Sequence, residues 1–289
     1  MKILSMNLCG KFLQLLILFI TVLSSAQTNQ HDSLRGEFIY FVKAKFDKRT
    51  DHRSEDSFLL QISDNRAFFA NTVSLKSDSV MAVSGTTTHN PDGSITLGWK
   101  KGVGIPKTNF NFTIIQSNDK VEYFDYAGMA LLTYKEPVIK NWKLVDEAKI
   151  INTITCKKAE VTFKGRNWIA WYSPEIPFPY GPLKFSGLPG LIIKITDDKG
   201  DFDFELVNSV PNSQLKGKVI NIKKTRYTGA IETTQLKLKE AVRNAAANAA
   251  GVLASYGTTI IKGQEMLRQR EKQREENEKY ANPLELIIE

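Results

Sequence analysis

The most informative part of the chain is residues 156–195, which read CKKAEVTFKGRNWIAWYSPEIPFPYGPLKFSGLPGLIIKI. Two runs rich in aromatic and β-branched residues flank the pair Gly165 and Arg166, a pattern typical of two strands joined by a tight turn. Four prolines follow between residues 174 and 182. Because proline fixes φ and lacks a backbone donor, we expect an extended loop that crosses the protein here and no central strand.

The loop ends in the hexapeptide GLPGLI. Its glycines, Gly187 and Gly190, permit tight turns because glycine accepts positive φ values. Between them, Leu188 is expected to be tucked inward. Leu191 and Ile192 are then expected to begin a buried strand, since they open an apolar run. The hexapeptide is therefore predicted to be a stiff bend that leads into the sheet.

Two interpretations of this loop remain open. In the first, it is a structural crossover that aromatic side chains hold in place. In the second, it is a rigid, aromatic-lined ledge that binds a partner or an apolar ligand. The residues of this predicted surface are Trp168, Trp171, Tyr172, Pro177, Tyr180, Pro182, Leu188 and Pro189.

The same stretch closely resembles the GLPGLI family, which takes its name from the hexapeptide. The resemblance also includes Gly165 with Arg166, residues 170–172, residues 175–177 and residues 181–182. Weaker similarities on both sides extend it over most of the chain. The resemblance implies an exported protein of a Gram-negative cell envelope, and it implies no established activity.

Outside this stretch, short runs of aromatic and β-branched residues recur with turn residues between them. The apolar runs at residues 67–69 and 80–83 are interpreted as edges of further short strands. The clearest longer runs are residues 37–46, 57–62, 94–99, 110–115, 121–126, 130–136 and 201–207. This spacing predicts an antiparallel meander and not alternating βαβ units. The predicted fold class is mainly β (α+β), a curved antiparallel sheet or half-barrel with C-terminal helices.

The composition changes near Thr234, after which Ala, Leu, Lys, Glu, Arg and Gln dominate. These residues favour helix. We therefore assign residues 27–233 to an antiparallel β-rich domain and residues 234–281 to a helical C-terminal segment that packs on it. Residues 282–289 are a candidate terminal strand.

The N-terminus has the pattern of a signal peptide. Lys2 and Lys11 precede an apolar run at residues 12–23, and small residues lead to Ala26. The run is too short to span a bilayer, which needs about 20 apolar residues. We expect residues 1–26 to be cleaved near Ala26, leaving a periplasmic or envelope-associated chain without a transmembrane anchor.

The charge of the chain argues against one class of partner. The formal net charge is +8, from 39 basic and 31 acidic residues. The basic residues are spread along the chain and form no block interleaved with aromatic residues, so nucleic-acid binding is not predicted. The excess of positive charge instead favours solubility or an anionic surface.

Patterns for catalysis and metal binding are weak. His31, His52 and His89 lie far from one another and from any cysteine, so no metal site is predicted. Residues 197–201, three of which are aspartates, lack the spacing of a calcium loop and predict an exposed turn. Cys156, inside a predicted strand, is interpreted as a buried, inert thiol, with a redox or intermolecular role as the alternative. No cofactor is predicted.

The functional hypothesis is an exported, non-enzymatic binding module for an apolar, lipid-like ligand or an envelope partner. Its basis is the excess of aromatic strand residues beside the proline-rich loop. The alternatives are a partner-binding accessory of an outer-membrane machine and an undetected hydrolase, since carboxylate pairs assemble only in three dimensions. The sequence leaves the oligomeric state open.

Overall fold

The structure describes five segments of the chain. In the computed structural model these are residues 32–93, 95–100, 102–108, 110–247 and 264–286. Three predictions fall wholly or partly outside them. The signal peptide at residues 1–26, the middle of the helical segment at residues 248–263 and the last part of the candidate strand at residues 287–289 therefore remain predictions.

One sheet of 12 strands dominates the described structure, and two further strands form a separate hairpin. The strands are β1 (Gly36–Ala44), β2 (Ser54–Ile62), β3 (Arg66–Asn71), β4 (Gly85–His89), β5 (Ile95–Trp99), β6 (Thr113–Ser117), β7 (Lys120–Ala127), β8 (Ala130–Pro137), β9 (Lys143–Ile151), β10 (Ile154–Phe163), β11 (Arg166–Ser173), β12 (Leu191–Asp197), β13 (Phe202–Ser209) and β14 (Ile231–Glu232). The order across the large sheet is β14-β8-β7-β6-β3-β2-β1-β13-β12-β11-β10-β9, with β4 and β5 paired apart. Only β14 runs parallel to its neighbour, β8. The sheet is not closed, and the predicted mainly β, mostly antiparallel fold is confirmed.

Alternating side chains explain how the sheet acquires a core face. On β1, Phe38, Tyr40, Val42 and Ala44 are buried, and the residues between them are more exposed. Successive side chains of a strand point to opposite faces, so this alternation directs one face of β1 inward. A bulge next to Ile39 interrupts the pairing of β1 with β13. Such bulges bend a strand and increase its twist, which favours a curved sheet.

The first helix, α1 (Thr72–Ser84), replaces a predicted strand edge at residues 80–83. That prediction was wrong. The side-chain oxygen of Asn71 accepts hydrogen bonds from the amides of Val73 (2.9 Å) and Ser74 (3.0 Å), which caps the helix N-terminus. A run of four apolar residues does not by itself distinguish strand from helix, and the cap upstream selects the helix.

The proline-rich loop crosses the protein as predicted, and we call residues 174–190 the strap. It contains no strand or helix. Gly187 and Gly190 have φ values of +90° and +150°. Leu188 between them is buried, and Leu191 begins the buried strand β12. The structure thus contains the predicted bend into a buried strand, and its stiffness stays a prediction.

Short helices follow the last long strand. They are α2 (Asn212–Leu215), a 3-10 turn (Lys224–Arg226), α3 (Gln235–Ala247) and α4 (Gln264–Lys279). Both α3 and α4 lie within the predicted helical segment. Helix α3 packs against β7 and β8, at one end of the sheet.

The described part of the candidate terminal strand, residues 282–286, does not form a strand. The Arg166 guanidinium donates instead to the carbonyl oxygens of Pro283 (2.7 Å) and Leu284 (3.1 Å). The amides of Asn282 and Leu286 donate to the carbonyl oxygens of Phe46 and Lys164, at 2.8 and 2.9 Å. The Arg166 side chain thus supplements two single backbone bonds, which do not form a strand ladder. This C-terminal segment lies against the sheet without joining it.

Candidate ligand-binding cavity

A cavity of about 340 Å³ lies between one face of the sheet, helix α3, the strap and residues 283–285. Helix α3 contributes Leu238 and Val242 to its wall, and β1 contributes Val42 and Ala44. Ligand pockets in proteins commonly measure about 300–1,000 Å³. An apolar cavity of about 150 Å³ already holds benzene. The volume is therefore sufficient for a flexible alkyl chain or a small ring system.

A row of aromatic rings forms one wall of the cavity. Phe58 and Phe110 lie with ring centroids 5.4 Å apart. Phe112 stacks on Tyr123 at 5.3 Å, and Tyr123 stacks on Tyr134 at 5.1 Å. Strands β2, β7 and β8 each supply one of these rings from their inward face, and the segment before β6 supplies two. The row gives the cavity a continuous apolar surface.

One end of the cavity is charged. The Lys184 amine lies 2.8 Å from a Glu136 carboxylate oxygen and 2.6 Å from one of Glu285. The Lys164 amine lies 2.9 Å from the other oxygen of Glu136. We call these four residues the charge cluster. All four side chains are at most 15% exposed, and two positive charges balance two negative ones.

The neighbouring lysines favour the ionised form of Glu136. Burial alone would raise the pKa of Glu136, but the charges of Lys184 and Lys164 outweigh burial and lower that pKa. The Lys184 amine also lies 4.8 Å from the centre of the Tyr134 ring, within the range of a cation–π contact. Glu136 is therefore ionised, and it acts as a counterion for the two lysines.

The phenols of the aromatic row stay neutral. Burial raises the pKa of Tyr134 and of Tyr123 far above its usual value. Burial also raises the pKa of Asp125, against the opposing effect of its hydrogen bond from the Tyr126 amide. The wall between the two ends of the cavity thus disfavours charge. It suits the apolar part of a ligand.

Arg166 holds the C-terminal segment in place beside the cavity. Gly165, at φ +82°, turns the chain between β10 and β11 in the predicted tight turn and so positions Arg166. Besides its bonds to Pro283 and Leu284, the guanidinium donates to Asp197 (2.9 Å) and to the side-chain oxygen of Asn282 (2.6 Å). It also lies over the Phe202 ring at 4.6 Å. Its donors thus join the sheet to a segment that lines the cavity.

The residues of the predicted aromatic ledge lie elsewhere. Six of the eight side chains are buried, and only Pro177 and Pro189 are exposed. None of the eight lines the cavity. Trp168 lies one layer behind it, with its ring 4.6 Å from that of the lining residue Phe185. The buried members are Trp168, Trp171, Tyr172, Tyr180, Pro182 and Leu188. Six of the eight residues are therefore core residues beside the strap, and a binding role for the ledge stays a prediction.

The lining residues come from distant parts of the chain, which is why sequence motifs did not reveal them. Lys184 sits in the strap, only a few residues from the hexapeptide, whereas its partner Glu285 lies near the C-terminus. The alternating aromatic run with Phe110 and Phe112 was the available signal. It predicted a strand over residues 110–115, whereas the strand begins only at Thr113. The run also does not show which strand faces the two rings.

The buried thiol of Cys156 provides the first testable prediction. Its side chain is fully buried, and burial raises its pKa to about 11. The thiolate is the reactive form, so the folded protein should react slowly with a maleimide at mildly alkaline pH. In a Cys9→Ser chain, in which Cys156 is the only thiol, labelling should be fast only in denaturant. Fast labelling of the folded chain would support the redox alternative.

The fold and the cavity define an open, mostly antiparallel β-sheet protein with an apolar cavity on one face. A family model described as "Protein of unknown function (Porph_ging)" matches residues 162–194. This segment contains the hexapeptide and the strap, which also carry the resemblance to the GLPGLI family. Over this segment, the chain is therefore similar to a family whose function is unknown.

Two solved structures of PNGF-II are distantly similar to the chain. The structure in the P21 space group is 13% identical with a TM-score of 0.46, and the structure in the C2 space group is 14% identical with the same TM-score. Each match covers 73% of this chain, which spans about a third of the PNGF-II chains, 34% and 33%. No curated protein matches the chain.

The described residues lack two other kinds of site. Within them, no helix combines the length and the apolar content that a membrane span requires. The same residues contain no group of three or more His, Cys, Asp or Glu side chains that could hold a metal ion.

Proposed function

We propose that the protein is a binding module for an apolar, lipid-like ligand, which it holds in the cavity between the sheet and helix α3. The observation that carries the proposal is a 340 Å³ cavity walled by aromatic and aliphatic side chains. The setting that we propose is the periplasm or the cell envelope, and its support is the N-terminal pattern at residues 1–26.

The energetics favour an alkyl chain. Each methylene moved from water into an apolar site contributes about 0.8 kcal/mol. About eight methylenes would contribute roughly 6 kcal/mol, before the loss of translational and conformational freedom is subtracted. The loss of freedom costs about 4 kcal/mol or more, so the apolar contacts alone support only weak, reversible binding of a single chain. The partner-binding alternative relied on the aromatic ledge or on the charged helix, and most of the ledge is buried.

Filling the cavity from helix α3 tests the proposal. Val242 lines the cavity and is half-buried. Val242→Trp should therefore occupy the space of the ligand and weaken binding of the fluorescent probe N-phenylnaphthylamine by about tenfold or more. Fluorescence titration of the probe measures the effect.

The matched control is Leu236→Trp on the same helix. Leu236 is 50% exposed and does not line the cavity, so this variant should bind the probe like the wild-type protein. If the wild-type protein does not bind the probe, or if both variants weaken binding equally, the cavity is not the ligand site.

A further inference from the structure

The charge cluster lies where the polar end of a ligand would be. Lys184 lines the cavity, and so does Glu285. The Lys184 amine faces the stacked rings of Tyr134 at 4.8 Å and Tyr123 at 5.7 Å from their centres. These two rings begin the aromatic row. An amphiphile that lies along the row would therefore bring its polar group to the Lys184 amine.

The two carboxylates that contact Lys184 are held differently. Glu136 lies in β8, within the sheet, and contacts both Lys184 and Lys164. Glu285 lies in the C-terminal segment, which has no strand pairing over its described residues. Besides Lys184, the Glu285 carboxylate accepts a hydrogen bond from the side chain of Gln235, at the start of α3. The Leu286 amide donates to the carbonyl oxygen of Lys164 at 2.9 Å, so the backbone beside Glu285 is held. The Glu285 side chain can turn away from Lys184 without breaking a strand pair of the sheet.

The charge balance limits what can replace Glu285. With Glu285 withdrawn, Lys184 would share the carboxylate of Glu136 with Lys164, and the charge cluster would carry one negative charge fewer. An unpaired buried charge is strongly unfavourable. A ligand with one negative charge restores the balance, whereas an uncharged or positively charged ligand does not. A carboxylate would also make the same charge-assisted contact that Glu285 makes.

We infer that the ligand is a single-chain amphiphile with a carboxylate head, which replaces Glu285 at the Lys184 amine while its alkyl chain lies along Tyr134, Tyr123 and Phe112. The inference rests on the proposed function, because it assigns the polar end of the same cavity. Glu285 then occupies, in the empty cavity, the position that the carboxylate of the ligand takes when it binds. It keeps the cluster neutral while the cavity is empty and competes with the carboxylate for Lys184.

The experiment compares decanoate with decanol, which has the same chain length and no charge, as competitors of N-phenylnaphthylamine on the full chain. Glu285→Gln removes the competing charge and leaves an amide of similar shape beside Gln235. It should strengthen decanoate binding by about tenfold, the size of a typical charge-assisted hydrogen bond. Decanol binding should change by less than about threefold, since its hydroxyl carries no charge.

A double variant tests the role of the lysine without leaving a buried charge unpaired. In Lys184→Met/Glu285→Gln, Lys164 and Glu136 remain as a neutral pair, 2.9 Å apart. The gain for decanoate should disappear, and decanol should still compete. The matched surface control is Glu232→Gln, which neutralises an exposed carboxylate paired with Lys135. It should leave the ratio of decanoate to decanol affinity unchanged.

The outcomes separate this inference from the proposed function. If the probe and decanol bind but Glu285→Gln shifts both competitors equally, recognition of a carboxylate is wrong and the apolar site stands. The same conclusion holds if the double variant retains the gain for decanoate. If neither the probe nor decanol binds the wild-type chain, both the inference and the proposed function fail.

Discussion

Replacing Gly190 by alanine is expected to lower the free energy of unfolding by about 3 kcal/mol or more. A Cβ atom at this position would lie 2.1 Å from the carbonyl oxygen of Ser173 and 2.6 Å from its carbonyl carbon. Ser173 is fully buried and pairs with Leu191 across β11 and β12, so its backbone has no free direction in which to move. The φ value of +150° adds strain for any residue with a side chain. Urea unfolding, followed by tryptophan fluorescence, measures the loss.

Gly217→Ala is the matched control for that loss. Gly217 also has a positive φ, +78°, but no heavy atom lies within 4 Å of a Cβ added there. Its substitution therefore reports the backbone strain alone, about 1–2 kcal/mol. If the two variants lose the same stability, the close approach of Gly190 to Ser173 does not matter. If Gly190→Ala does not fold at all while Gly217→Ala does, the contact of the added Cβ atom with Ser173 costs more free energy than the folded protein can tolerate.

The bend at the hexapeptide could be predicted because its cause is local. Glycine at positions 187 and 190 tolerates positive φ, and the apolar run after it predicts a buried strand. The turn at Gly165 and the hairpin between β12 and β13 arise from equally local patterns. The strand pattern of the sheet was predictable for the same reason. Helix α1 was missed because the cap at Asn71 outweighed a short apolar run.

The candidate site was not predictable because its cause is non-local. Alternation identifies Tyr123 and Tyr134 as inward-facing, but only the register of β7 with β8 places them directly opposite each other. Lys184 reads as a polar residue in a loop, and it acquires its role when Glu136 and Glu285 meet it. A cluster of aromatic residues in the sequence does not show which of them the fold buries.

The strap connects the hexapeptide with the cavity. The Gln116 side chain in β6 donates to the carbonyl oxygens of Gly181 and Leu183, and its own oxygen accepts from the Gly181 amide at 3.4 Å. The indole of Trp142 donates to the carbonyl oxygen of Ser186 at 2.9 Å. These bonds hold the backbone on both sides of Lys184. The strap therefore positions the Lys184 side chain at the charged end of the cavity.

Arg166→Met is expected to reduce stability by about 3–5 kcal/mol, the usual result of removing one partner of a buried ion pair. The Asp197 side chain is fully buried, and its contact with Arg166 is 2.9 Å. Methionine fills part of the volume but leaves that carboxylate without its nearest counterion. Probe binding should weaken as well, because Arg166 holds Pro283 and Leu284 at the cavity wall. Urea unfolding and the probe titration measure the two effects.

Two further variants identify the reason for that loss. Arg35→Met removes one partner of an exposed pair, whose side chains are 56% and 62% exposed, and should cost less than about 1 kcal/mol. Asp197→Asn, added to Arg166→Met, removes the carboxylate charge that has lost its counterion. It should raise the free energy of unfolding by at least about 1 kcal/mol relative to the single Arg166 variant. The opposite result is a double variant whose loss of stability equals the sum of the losses in Arg166→Met and in Asp197→Asn, each measured alone. In that case, Arg166 stabilises the fold only through its contacts with the C-terminal segment. We expect the partial recovery of stability, because the guanidinium contacts the Asp197 carboxylate as well as the C-terminal segment.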